Sequence, residues 1–95
     1  MKNLRTTSSV DFAIHTLGPD EGRRIRASVD SLRNWDTDAN LRRISTPLVE
    51  LPGKYIMCTN TDMRIFFRID GDTITILDVA GKSAILATGH TSGVN

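Results

Sequence analysis

The stretch TDMRIFFRIDGDTITILDV, residues 61–79, constrains this chain more than any other. Two runs rich in β-branched and aromatic residues meet at Asp70-Gly71, a strong short-range signal for a two-residue hairpin. With that pair as the turn, Ile69 faces Asp72, Phe67 faces Ile74 and Ile65 faces Ile76, so the large apolar side chains share one face. A three-residue turn would mix Thr with Phe and Ile on both faces, which favours the shorter loop. The opposite face then presents Arg64, Phe66 and Arg68 against Leu77, Thr75 and Thr73.

An apolar sheet face needs cover, and the sequence supplies it upstream. In GPDEGRRIRASVDSLRNW, Pro19 suits a first helical position, Asp20 and Glu21 sit where the helix dipole favours negative charge, and Ile25, Val29, Leu32 and Trp35 recur at helical spacing. The spacing predicts a helix over 19–35 with one apolar and one arginine-rich face. Residues 10–17, VDFAIHTL, alternate weakly and fit either a first helix or a strand. Residues 1–9 are polar and read as frayed or as a short edge strand. DTDANLRRISTP, residues 36–47, reads as a polar connector ending before a strand. Residues 54–59, KYIMCT, form a strand followed by the turn chemistry of Asn60-Thr61-Asp62. The expected fold is α+β, with one or two helices followed by an antiparallel meander of three strands or more. It is a single domain over 1–95, with 1–9 and 88–95 flexible.

Composition narrows the function classes. Hydrophobic residues make up 39% and charged residues 24% of the 95, which gives a modest core, and a net charge of +1 predicts no polyanion partner by itself. The arginines at 23, 24, 26, 33, 42 and 43 are nevertheless concentrated, so local stripes must carry any nucleic-acid argument. Cys58 is alone, which excludes an internal disulfide and a Cys-based zinc cage and makes a reducing, cytoplasmic setting the expectation. The first residues hold no apolar run suited to a signal peptide, and no run approaches the roughly 20 apolar residues of a membrane span.

The chemistry-bearing residues are few. Arg64 and Arg68 lie about 13 Å apart at strand rise, a spacing that suits successive phosphates of a single strand. Phe66 between them offers a stacking surface for a base, although long charged side chains are also the ordinary covering of an exposed strand face. His90, in GHTSG, has the chemistry of a general acid or base, and a solvated histidine is its ordinary role. Lys82 follows the last strand at a tip. Gly81-Lys82 lacks the upstream glycine and the strand-to-helix context of a Walker loop, and Ser83 lacks a hydrolase elbow. Asp70 and Asp72 flank a hairpin glycine and fall short of a calcium loop. His15 has no partner at an interpretable spacing. No metal or cofactor is expected.

The ordered pattern resembles a known family. A helix with RRI and a later Leu, a linker ending in LPG, Tyr55 in a strand, DMRIFF, an Asp-Gly hairpin, and ILDV before a Gly-Lys tip are together similar to the RelE/ParE superfamily of toxins from bacterial type II toxin–antitoxin systems. The resemblance spans residues 19–85 and is strongest over 51–82. It implies an N-terminal helix or helical hairpin packed on a twisted antiparallel sheet of three to five strands. In the RelE-like branch, that sheet enters the ribosomal A site, and the 2′-hydroxyl of the messenger RNA attacks the adjacent phosphate. By position, the resemblance implies that Arg64 contacts the scissile phosphate, that Lys54 binds RNA from the preceding strand, and that Lys82 supplies a cation from the tip. The strand-face reading adds Phe66 and Arg68 to the RNA-binding set, and His90, one residue from the family position, is the candidate late acid or base if the tail folds back. Met63 stands where the family often has Tyr, and Thr59 where Arg is common. Ser83 and Gly89 stand where a second Arg and a later Tyr or His are expected. The ParE-like branch implies a different outcome, poisoning of DNA gyrase without a nuclease site, and a third outcome is a catalytically inactive member that only binds its antitoxin. All three imply a cognate antitoxin whose partly disordered segment orders on binding.

Overall fold

The computed structural model describes residues 1–81. The elements run β1 (Asn3–Arg5), α1 (Ser8–His15), α2 (Pro19–Ser31), a 3-10 turn (Leu32–Asn34), α3 (Ala39–Arg43), β2 (Ser45–Pro47), β3 (Lys54–Cys58), β4 (Met63–Asp70) and β5 (Thr73–Gly81). They form an α+β fold in which helices cover one face of a five-stranded sheet of order β1-β5-β4-β3-β2.

Local chemistry sets the helix ends. The Thr7 hydroxyl accepts from the Val10 amide at 3.2 Å to start α1, and the Asp38 carboxylate accepts from the Asn40 amide at 3.0 Å to start α3. Helix α2 has no side-chain cap. Gly18 enters it at φ 90° and Pro19 takes the first position, where its missing N–H costs nothing. A Cβ on Gly22 would stand 3.0 Å from the Ile14 carbonyl, so this glycine is what lets α1 and α2 approach. Residues 10–17 thus resolve in favour of the helical reading, and the long helix expected over 19–35 tightens into the 3-10 turn after Ser31.

Two regions depart from expectation. The 36–47 connector carries the short helix α3 and the edge strand β2, elements too short for hydrophobic period to reveal. The sheet is mixed: Asn3, Leu4 and Arg5 pair in parallel with Thr73, Ile74 and Thr75, so the edge-strand reading of the first residues holds, but with parallel sense. Residues 88–95 lie outside the described residues.

The hairpin register also moves. Asp70 pairs with Thr73, Ile69 with Ile74 and Phe67 with Ile76, so the two turn residues are Gly71 and Asp72 and not Asp70 and Gly71. Gly71 takes φ 58° while no non-glycine residue has positive φ, which matches a turn that asks for positive φ only at its first central position. The shift is by two residues, so side-chain faces are preserved. Between Phe66 and Phe67 the ladder slips by one, and beyond it Phe66 pairs with Asp78 and Ile65 with Val79. Leu77 is the extra residue of this β-bulge.

Ile65, Phe67, Ile74, Ile76 and Val79 of the hairpin meet Val10 and Ile14 of α1, Ile25 and Val29 of α2, and Leu32 in one core. Trp35 closes it at the end of the long helix, with its ring 5.2 Å from Tyr55 and 5.6 Å from Phe67, while Tyr55 and Phe67 stack at 5.3 Å.

Candidate functional site

With the helices on one face, the other face of β3–β4–β5 is covered by no element among the described residues. Side chains cross it in three rows set by the register. Cys58, Arg64 and Ala80 form the first, Ile56, Phe66 and Asp78 the second, and Lys54, Arg68 and Thr75 the third. Arg64, Phe66 and Arg68 therefore share one open face, as the sequence predicts, and Lys54 joins them directly opposite Arg68. Two cations at directly opposed positions, with Cβ atoms about 5 Å apart, oppose folding and need a compensating anion.

Part of that compensation is internal. Arg68 Nε lies 3.6 Å from a carboxylate oxygen of Asp70, too far for a hydrogen bond, and Nε itself is shielded from solvent although the side chain as a whole is 42% exposed. Arg64 is held differently. Its Nη1 donates to the carbonyls of Thr61 at 3.2 Å and Met63 at 3.0 Å. Those carbonyls are fixed by the β3–β4 turn. There the Thr59 hydroxyl donates to the Met63 carbonyl at 2.8 Å and accepts from the Thr61 amide at 3.2 Å, and the Thr61 hydroxyl accepts from the Met63 amide at 3.0 Å. Nε and Nη2 of Arg64 make no hydrogen bond among the described residues.

Beside these charges the face is apolar. A shallow recess of about 250 Å³ is lined by Leu48, Leu51, Lys54, Tyr55, Phe66 and Leu77. Leu51 and Leu77 are exposed, and Leu77, the unpaired residue of the bulge, lies beside Phe66 in place of the predicted position opposite Arg64. A larger cleft, about 520 Å³, lies elsewhere among the described residues, between α1 and the start of α2, with His15, Arg23 and Arg26 in its wall. None of the residues singled out for RNA lies there, and Arg23 already pairs with Asp20 at 3.9 Å.

Sequence reasoning missed Asp78. Under the predicted register it falls on the covered face opposite Met63; the bulge puts it on the open face opposite Phe66. Lys82 and His90, and with them Ser83 and Gly89, lie outside the described residues. Among the described residues no three His, Cys, Asp or Glu side chains converge to hold a metal ion, and no helix is long and apolar enough to cross a membrane. Cys58 is free and exposed, next to Arg64 on the same face.

No protein-family model matches the sequence, and no curated protein does. Solved structures do. The chain is similar to a chain of the toxin–antitoxin complex RelBE2 from Mycobacterium tuberculosis, at 29% identity over 84% of this chain and 96% of that one, with a TM-score of 0.57. It is similar in fold to the RelB–RelE antitoxin–toxin complex from Methanococcus jannaschii, at 16% identity, 88% and 96% coverage and a TM-score of 0.65. The same holds for a copper-bound mutant toxin from Helicobacter pylori, at 18% identity, 90% and 99% coverage and a TM-score of 0.63. A helical pair covering one face of a sheet whose other face carries cations, the RRI-to-Gly-Lys order of motifs and these likenesses converge: the chain has the fold of RelE-type toxins and is similar to chains of toxin–antitoxin complexes.

Proposed function

We propose that this chain is the toxin of a type II toxin–antitoxin pair, held in check by a cognate antitoxin, and that it acts as a ribosome-dependent endonuclease on messenger RNA. The observation that carries this reading is the open face itself: Lys54 and Arg68 opposed across two strands, Arg64 one row on, and Phe66 between the arginines. Like charges kept adjacent at a cost to the fold are explained by a polyanion that bridges them.

The chemistry assigned to that face is attack of a ribose 2′-oxygen on the adjacent phosphorus. Charge accumulates on the phosphoryl oxygens in the transition state, and its stabilisation is the role proposed for Arg64. Lys54 and Arg68 hold a flanking phosphate and Phe66 stacks a base. Lys82 is assigned a further phosphate contact, the role its position has by resemblance, and His90, one residue beyond the position where Tyr or His is expected, is assigned protonation of the leaving oxygen. The gyrase-directed alternative draws support from one feature: Nη1 of Arg64 is already committed to turn carbonyls, which leaves fewer donors for a phosphate.

The test is purified protein added to ribosomes programmed with a defined messenger, with new 5′ ends mapped. Cleavage in the A-site codon is expected from the wild type, and Arg64→Ala is expected to lower its rate by about 100-fold or more with the thermal transition little changed. Intact messenger, with replication stalling before translation in expressing cells, would replace this reading by the gyrase one.

A further inference from the structure

The described cations can bind and stabilise a phosphate, but none accepts a proton from a 2′-hydroxyl. On the endonuclease reading, we infer that Asp78 is the general base. The bulge between Phe66 and Phe67 puts it there. β5 turns Ile76 and Val79 into the core, and the two residues between them, Leu77 and Asp78, both face outward and are exposed. Asp78 stands directly across from Phe66, about 5 Å away between Cβ atoms, and diagonal to Arg64, within about 8 Å. A ribose whose base stacks on Phe66 and whose phosphate is held by Arg64 presents its 2′-hydroxyl to this carboxylate.

The carboxylate is also oriented. Its Oδ1 accepts from the Val79 amide at 2.8 Å, which fixes the side-chain torsion and leaves Oδ2 to the face. Among the described residues no Lys, Arg or His lies within ion-pairing distance of Asp78, although Arg64, Arg68 and Lys54 share its face. A lone carboxylate there weakens RNA binding by repelling phosphate, and a role in proton transfer explains its presence.

The step balances without a cofactor. As the 2′-oxygen forms its bond to phosphorus, the hydroxyl proton passes to Oδ2 of Asp78. The bond from phosphorus to the 5′-oxygen of the next nucleotide breaks, and that oxygen takes a proton from an acid or from water. The products are a 2′,3′-cyclic phosphate and a 5′-hydroxyl. Asp78 then returns its proton to solvent.

The experiment compares single-turnover cleavage of ribosome-bound messenger by the wild type, Asp78→Asn and Asp78→Glu, alongside binding of a short single-stranded RNA by fluorescence anisotropy. Asn keeps an oxygen for the Val79 amide and removes the charge; Asp78→Ser, whose hydroxyl can accept from the same amide, replaces it if Asn impairs folding. The inference expects the uncharged variant to cleave about 100-fold or more slowly while binding RNA as tightly as the wild type or more tightly, and Glu to retain more cleavage than Asn. Cleavage by Asp78→Asn within threefold of the wild type overturns the assignment of Asp78 alone. No cleavage by the wild type overturns the endonuclease reading and this inference with it.

Discussion

Thr59 and Thr61 carry no charge, yet they decide where the Arg64 guanidinium sits. The Thr59 hydroxyl donates to the Met63 carbonyl and accepts from the Thr61 amide, and the Thr61 hydroxyl accepts from the Met63 amide, which together hold the turn whose carbonyls receive Nη1, so Thr59→Val is expected to lower stability by about 1 kcal/mol in a denaturant titration, with Thr59→Ser restoring most of it. The same valine variant is expected to speed rotation of the Arg64 guanidinium in nitrogen-detected NMR. Most of the described site was legible at this scale. Arg64, Phe66 and Arg68 share a face under either hairpin register because the two differ by an even number of residues. Asp78 was hidden because a strict alternation through TITILDV sends it to the covered side. The signal was present all the same: Ile74 and Ile76 keep period two, and the next apolar core residue is Val79, one place late.

At the scale of the element, that late valine makes the bulge a discrete object that can be removed. Deleting Leu77 leaves Ile76 opposite Phe67 and Asp78 opposite Phe66 in an unbroken ladder. The deletion variant is expected to fold with its core faces intact and stability within about 1 kcal/mol of the wild type, as read by thermal unfolding; a chain that fails to fold would refute the register. The turn behaves oppositely. Gly71 sits at φ 58° with open space around its Cβ position, so Gly71→Ala is expected to cost about 1–2 kcal/mol through backbone conformation and not through contact. Both hairpin strands and the main helix α2 were readable from periodicity. The three-residue strands and the five-residue helix α3 are shorter than the windows in which a period can be recognised.

Across the whole molecule, net charge of +1 hides an uneven distribution, and binding should report the local face. With Lys54, Arg64 and Arg68 each meeting a phosphate, the logarithm of the affinity for single-stranded RNA is expected to fall with the logarithm of salt concentration at a slope of about 2, measured by anisotropy across a salt series. The fold has its own long-range tie. Lys2, just before β1, ties residues far apart in sequence, its Nζ donating to the Gly71 carbonyl at 3.0 Å and lying 3.5 Å from Asp36, with the side chain only 11% exposed. The parallel pairing beside it was not legible in a polar NLR segment, because nothing local specifies a partner so distant in sequence.

That pairing also has a consequence for timing. Asn3 cannot find Thr73, nor Lys2 the carbonyl of Gly71, until the ribosome has synthesised the hairpin and released it from the exit tunnel. The two helices can form early, but β5 and the register that presents the cationic face are completed late in synthesis. The cationic face is therefore among the last features of the fold to be completed, after the first and last strands have both left the ribosome.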